Sequence, residues 1–294
     1  MTALEQRLAA RLAAPVDPAV AQFAARLGYS VDALGVLFYG SNLRTGLLEG
    51  VLDYYILLPG PQRERIWPRV SYHEWEHEGA VLRAKIATLS LETFASAARG
   101  ERVDTTIWAR FVQPSALIWQ RDPQAGQAIT QAVAEAAQTA ARLAAALGPQ
   151  QGTAQDYWRA LFRATYAAEF RVEQAGREDE ILAVNAGHFD GLLPLALEAQ
   201  GIGFERVGDT IVPQMPPGRR RQLLQWWARC RRMGKLLNIT RLLKASTTFE
   251  GAARYAAWKI ERHTGVKVEL TPWRERHPVL AAPGVLFAVW RARR

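Results

Sequence analysis

The chain has a single cysteine in 294 residues, Cys230. That excludes an internal disulfide and any zinc site built on several thiolates, and it points to a reducing cytoplasm. No run of about 18 apolar residues occurs, so no segment is expected to span a bilayer. The first residues lack the apolar core of roughly 7–15 residues that marks a secretory leader. Lysine is scarce, and the positive charge is mostly arginine. No internal repeat is visible.

What is present argues for a folded protein. Hydrophobic residues make up 49% and aromatics 10% of the chain, enough for a sizeable core. The length fits two domains or one large one. A formal net charge of +9 implies an anionic partner: nucleic acid, a nucleotide or an anionic membrane surface, without choosing among them. Arginine suits bidentate phosphate contacts, although genome composition explains the same bias.

Residues 1–30 read as amphipathic helix broken at Pro15 and Pro18. Strand signals follow at Val36–Tyr39, Asp53–Leu58 and Ala80–Leu89. Ser90 is placed to cap a helix through Leu91, Phe94 and Ala98 to a stop at Gly100. Mixed elements of this kind predict an α/β domain. After Pro123 the chain turns helical: 124–148 with a Gly148-Pro149 stop, then 153–173 and 178–198. Residues 201–213 predict a hairpin around Gly208-Asp209. Helices followed by a small hairpin predict a winged-helix-like unit. A basic helix over 218–244, a further helix over 248–263 ending at Gly265, and a tail with a short strand and prolines complete the reading.

Tyr39-Gly40-Ser41 closes the first apolar strand, and Asp53 opens the next twelve residues after Ser41. A strand, a Gly-Ser turn and a second strand led by a carboxylate can set backbone amides on phosphates and an aspartate on a divalent metal beside them. That is the shape of the nucleotidyltransferase fold. A plain β-turn followed by a strand-capping aspartate is the alternative. Lys85 interrupts the apolar run Val81–Leu89, where an ammonium is hard to explain by packing.

Three separated stretches together resemble the mitochondrial-type phosphatidate cytidylyltransferases, peripheral CDP-diacylglycerol synthases also called the translocator assembly and maintenance family. The first is Tyr39-Gly40-Ser41 with Leu52-Asp53-Tyr54, similar to the family's Tyr-Gly-Ser and Leu-Asp-Phe. The second is the lysine-bearing strand Leu82–Ser90, followed by Trp108-Ala109-Arg110-Phe111-Val112-Gln113-Pro114, similar to Ala-Gly-Arg-Leu-x-x-Pro. The third is Tyr166-Ala167-Ala168-Glu169-Phe170-Arg171 with His188-Phe189, similar to Tyr-Ser-Gly-Asp-Phe-Arg and His-Phe. A fourth, weaker match is Ile239-Thr240-Arg241. The resemblance covers roughly residues 35–255. It departs at Glu169 for aspartate, at Ala109 for glycine, and in lacking a clean Thr-Lys-Gly element. With no mitochondrial presequence, the chain resembles a bacterial relative, cytoplasmic and peripheral on the inner face of the membrane.

The resemblance implies a nucleotidyltransferase-type mixed-sheet domain over 1–120, a winged-helix-like helical domain over 121–260 and a C-terminal segment over 261–294, with the active site between the first two. It implies that CTP and phosphatidic acid give CDP-diacylglycerol and pyrophosphate. Asp53 and Glu169 would hold Mg²⁺; Asp53, Lys85 and Glu169 would be catalytic; Tyr39, Gly40, Ser41, Arg110 and Arg171 would bind the nucleotide. Because Tyr55 stands where many nucleotidyltransferases have a second aspartate, Glu169 is the candidate second carboxylate, unless it only pairs with Arg171 or Arg163 on a solvated face. Arg110 could instead cap its own helix.

Two further enzymatic and non-enzymatic readings stay open: a nucleotidyltransferase with a sugar phosphate or RNA end as acceptor, and a non-catalytic nucleic-acid-binding protein on a decayed fold. Nucleic acid is not the expected partner of the main reading. His73-Glu74-Trp75-Glu76-His77 fits the zinc-protease pattern, but it is read as a loop between strands with no later ligand segment. The arginine-, leucine- and tryptophan-rich 219–244 and the tail Val285–Arg294 suit either an anionic bilayer or, for the former, a packed helix with a basic outer face.

Overall fold

The structure is a computed structural model and describes residues 1–168, 176–248, 250–276, 280–284, 288 and 291. Two amphipathic helices open the chain. α1 (Ala3–Leu12) starts at a capping box, Thr2 Oγ1 accepting from the Glu5 amide and the Glu5 carboxylate from the Thr2 amide. Its Leu4, Leu8 and Leu12 form one buried stripe. α2 (Pro18–Ser30) is capped by Asp17 with proline at its first position, and it buries Val20, Phe23 and Leu27.

A five-stranded sheet follows, interleaved with short helices: β1 (Gly35–Tyr39), α3 (Ser41–Thr45), β2 (Leu52–Leu58), β3 (Arg69–His77), β4 (Ala80–Ser90), α4 (Leu91–Ala98), α5 (Thr106–Phe111) and β5 (Ser115–Gln120). The spatial order is β3-β4-β2-β1-β5. β2 and β4 run parallel; the other neighbours are antiparallel. Alternation along each strand divides the side chains between two cores. Tyr54, Ile56 and Ile86 pack with Phe23 of α2 on one face. Tyr55, Leu57 and Leu89 join Phe94 and Phe111 on the other. The mixed α/β class expected from sequence is present.

The 25-residue α6 (Pro123–Leu147) is the spine of the second core. Its alanines let neighbours approach closely, and it packs against α1, α4 and α5. After the short β6 (Gly152–Thr153) come α7 (Ala154–Ala168), α8 (Arg177–Val184), α9 (Ala186–Phe189) and α10 (Leu192–Ala199), of which α7 and α10 also pack on α6. The expected hairpin forms as β7 (Gly203–Val207) and β8 (Thr210–Gln214), and β6 joins it in a three-stranded sheet of order β6-β8-β7. The last elements are α11 (Pro217–Thr248), α12 (Ala252–Thr264) and α13 (Pro272–Arg276).

Four expectations need correction or limitation. The helix expected over 178–198 is three pieces, broken where Asn185 caps the Ile181 carbonyl and where Gly191 takes φ +66°. Residues 73–77 are not a loop but part of β3, each paired across to β4. Four residues along a strand span about 13 Å, too far for His73 and His77 to chelate one ion. The short strand expected near the C-terminus is absent among the described residues. The tail 285–294, apart from 288 and 291, lies outside the described residues.

Candidate active site

Residues in register across a sheet point to the same face. One such row runs Ser115, Tyr39, Asp53, Lys85, Tyr72 through all five strands. Asp53 and Lys85 are therefore nearest neighbours on the parallel β2–β4 pair, and both lie on the α5 side of the sheet. Fold topology, not sequence proximity, brings them together.

Gly40 makes the turn out of β1. Its φ of +94° is a conformation that side chains resist, and a Cβ there would stand 3.2 Å from Asp53 Oδ2. The glycine thus lets the backbone pass beside the carboxylate. Ser41 is exposed and opens α3. Asn42 fixes the next loop by donating to the carbonyls of Leu47 at 2.7 Å and Glu49 at 2.8 Å.

Arg110 arrives from the last turn of α5. Its Nη1 donates to the Tyr39 hydroxyl at 2.9 Å, and its guanidinium lies 4.9 Å from the centre of the Tyr39 ring and 5.9 Å from that of Tyr55. Phe111 meets Tyr55 edge-on at 5.0 Å and Phe94 at 4.8 Å, which fixes α5 over the sheet. The guanidinium is thus turned toward the sheet row.

Burial pushes the Asp53 carboxyl up, against the pull of Lys85 and Arg110. Burial pushes the Lys85 ammonium down; Asp53 opposes this, while Arg110 and Lys259 reinforce it. Burial likewise raises the Tyr39 hydroxyl, opposed by Arg110. Among the described residues Asp53 and Lys85 form no ion pair within 4.0 Å and no side-chain hydrogen bond. Two partly desolvated opposite charges thus lie in register on neighbouring strands without direct contact with each other.

Sequence reasoning missed the cover of this site. Tyr255, Trp258, Lys259 and Arg262 recur at helical spacing along α12, and that stripe was the signal available. Tyr255 packs on Tyr72 at 5.4 Å, Arg83 and Arg262 lie over the Trp258 ring, and Lys259 is close enough to act on Lys85. α12 is seated by the backbone: the Tyr72 amide donates to the Glu250 carbonyl at 2.8 Å, extending the sheet past β3.

Arg241, from the weakest of the matched stretches, has a different place. It pairs with the buried carboxylate of Asp104, donates from Nε to the Trp67 carbonyl at 2.8 Å and lies 5.0 Å from the centre of the Trp67 ring. Asp104 also accepts from the amide of Thr106, the first residue of α5, at 2.7 Å. α11 thereby anchors the helix that carries Arg110. His188 is structural: its ring bonds the Val112 carbonyl at 2.8 Å, and burial lowers its pKa to about 4. Glu169 and Arg171 lie outside the described residues.

The donor set suits a hard cation. Asp53 offers carboxylate oxygens, with the space beside Oδ2 left open by Gly40. Among the described residues no group of three or more histidine, cysteine, aspartate or glutamate side chains is assembled. Mg²⁺ uses one or two carboxylates and completes its shell with substrate phosphates and water, so it fits this set. Comparison of the chain with known proteins found no matching protein-family model and no matching curated protein.

Proposed function

We propose that the protein is a Mg²⁺-dependent nucleotidyltransferase that joins CTP to phosphatidic acid at a membrane surface. The observation that carries this reading is the open row: a carboxylate, an ammonium and a guanidinium around a left-handed glycine turn on one face of a mixed sheet. Both reactants are anionic, so a site for them must supply positive charge and fixed donors.

In this reading Asp53 holds the metal, with Glu169 as the second carboxylate, and the ion when bound neutralises the triphosphate oxygens. Gly40 and Ser41 offer donors to the leaving phosphates. Lys85 and Arg110 bind the charge that builds up during transfer, and Arg171 completes the nucleotide contacts. A lipid phosphate oxygen attacks the α-phosphorus of CTP. The bond from that phosphorus to the bridging oxygen of the β-phosphate breaks, and pyrophosphate leaves with the electron pair. The attacking phosphate is already ionised near neutrality, so no strong general base is required. The sheet, its Gly-Ser turn and the β6-β8-β7 hairpin unit behind α7–α10 support a nucleotidyltransferase domain followed by a winged-helix-like one. Among the described residues no helix is long and apolar enough to cross a membrane.

The test is incubation of purified protein and Mg²⁺ with labelled CTP or ATP and, separately, phosphatidic acid vesicles, a sugar phosphate or RNA. Label from CTP should enter the lipid phase with one pyrophosphate per transfer. Transfer to a soluble acceptor instead would reassign the substrate. No transfer to any acceptor by folded protein would overturn the reading.

A further inference from the structure

We propose that the outward face of α11 docks on an anionic bilayer. From Thr210 to Phe249 the chain has no aspartate or glutamate, yet α11 alone carries nine arginines and lysines. Four of them are spent inside the molecule. Arg219 donates to the Gln200 carbonyl, Arg220 to those of Ala146 and Gly148, Arg241 to Asp104, and Lys244 to Glu64. Arg229, Arg231, Arg232 and Lys235 are exposed, and among the described residues none of them meets a carboxylate.

The apolar residues between them decide the partner. α11 buries Trp227 and Cys230 in the core and passes so close to α7 that a Cβ on Gly234 would stand 2.9 Å from the Ala168 carbonyl. The opposite side presents Leu236, 57% exposed, Ile239, 43%, and Met233, 41%. Arg229, Met233, Leu236 and Ile239 follow one another at four- and three-residue spacing, and Arg232 lies four before Leu236, so they share a face. Nucleic acid binding draws chiefly on cations at the phosphates, and apolar side chains serve it where they wedge between base steps of a kinked duplex. A bilayer with anionic lipid rewards both: apolar side chains enter the acyl boundary while guanidinium and ammonium groups stay among the headgroups.

This inference rests on the lipid-acceptor reading for its purpose. Its test uses no turnover and no phosphatidic acid, so the two can fail separately. Full-length protein is sedimented with vesicles of phosphatidylcholine alone or with phosphatidylglycerol, at low and high salt. Binding should need phosphatidylglycerol and weaken with salt. Arg232→Gln with Lys235→Gln should lower partitioning roughly 30-fold at low salt, the combined surface attraction of two basic residues. Leu236→Ser with Ile239→Ser should lower it at both salt levels. To separate docking from misfolding, Ile239→Cys is labelled with an environment-sensitive dye; Cys230 is buried and leaves the new thiol as the reactive one. The dye should brighten and shift to the blue on anionic vesicles. Vesicle binding without a dye response assigns the contact to another surface and overturns the proposal. So does tighter binding to duplex DNA or RNA than to vesicles, or dye burial in a self-associated species without lipid.

Discussion

Two carboxylate–cation pairs sit on the same side of the sheet and are built in opposite ways. Asp104 and Arg241 touch, and nearly every polar atom has a role: Asp104 accepts from the first residue of α5, Arg241 bonds Trp67 and lies over its ring. Asp53 and Lys85 are in register but do not close, and burial works against the charge of each. A closed pair fastens helices together. An open one keeps its charges available, at some cost to stability.

Breaking the closed pair should give the largest effect on folding. Arg241→Met leaves a buried carboxylate without its cation, which typically costs about 3–5 kcal/mol. Chemical denaturation should show that loss; an unchanged midpoint would mean the pair is not what anchors α5. The matching change in the open pair, Asp53→Asn, should leave the fold intact and lower nucleotidyl transfer by roughly 100- to 1000-fold, the scale of losing one charge-stabilising group. Near-normal turnover in the variant would remove Asp53 from the chemistry.

Lys85→Met should keep or slightly raise the melting temperature while weakening nucleotide affinity or rate by about tenfold or more. A folded variant with full activity would make Lys85 a structural residue. Gly40→Ala should cost on the order of 1 kcal/mol, because it forces a side chain to positive φ beside Asp53 Oδ2, and it should reduce activity more than stability.

The smallest effect concerns pH. The folded-state pKa of Asp53 lies above its usual 3.8, so folding is most favoured while the group is protonated and loses that part as pH rises through the raised value. Lys85 lies below its usual 10.5, so its penalty is relieved as pH climbs toward that figure. The stability of Asp53→Asn minus that of the parent should therefore be smallest in acid and grow upward through the carboxylate range. A difference that shrinks with rising pH would show that Asp53 is held by a closed pair after all.

The open pair was the legible one. Gly40 and Asp53 stand at strand ends, and Lys85 breaks an apolar run, so each disturbs a local pattern. β3 hid because Arg69–His77 carries charge on a half-covered outer strand, which erases the hydrophobic period. Asp104 and Arg241 lie 137 residues apart and disturb nothing locally. Tyr72 and Tyr255 likewise meet only through the seating of Glu250 on β3. Arg110 was visible as a residue, but not its turn toward Tyr39, which depends on how Phe111 packs.

The cover supplied by α12 also sets a clock. A ribosome adds roughly 5–20 residues each second, so about 9–35 s separate the synthesis of Lys85 from that of Lys259. During that interval the emerging sheet can hold Asp53 and Lys85 in register, but the helix that lies over Tyr72 and acts on Lys85 does not yet exist. The row of Asp53 and Lys85 therefore stands without this cover until α12 has been made.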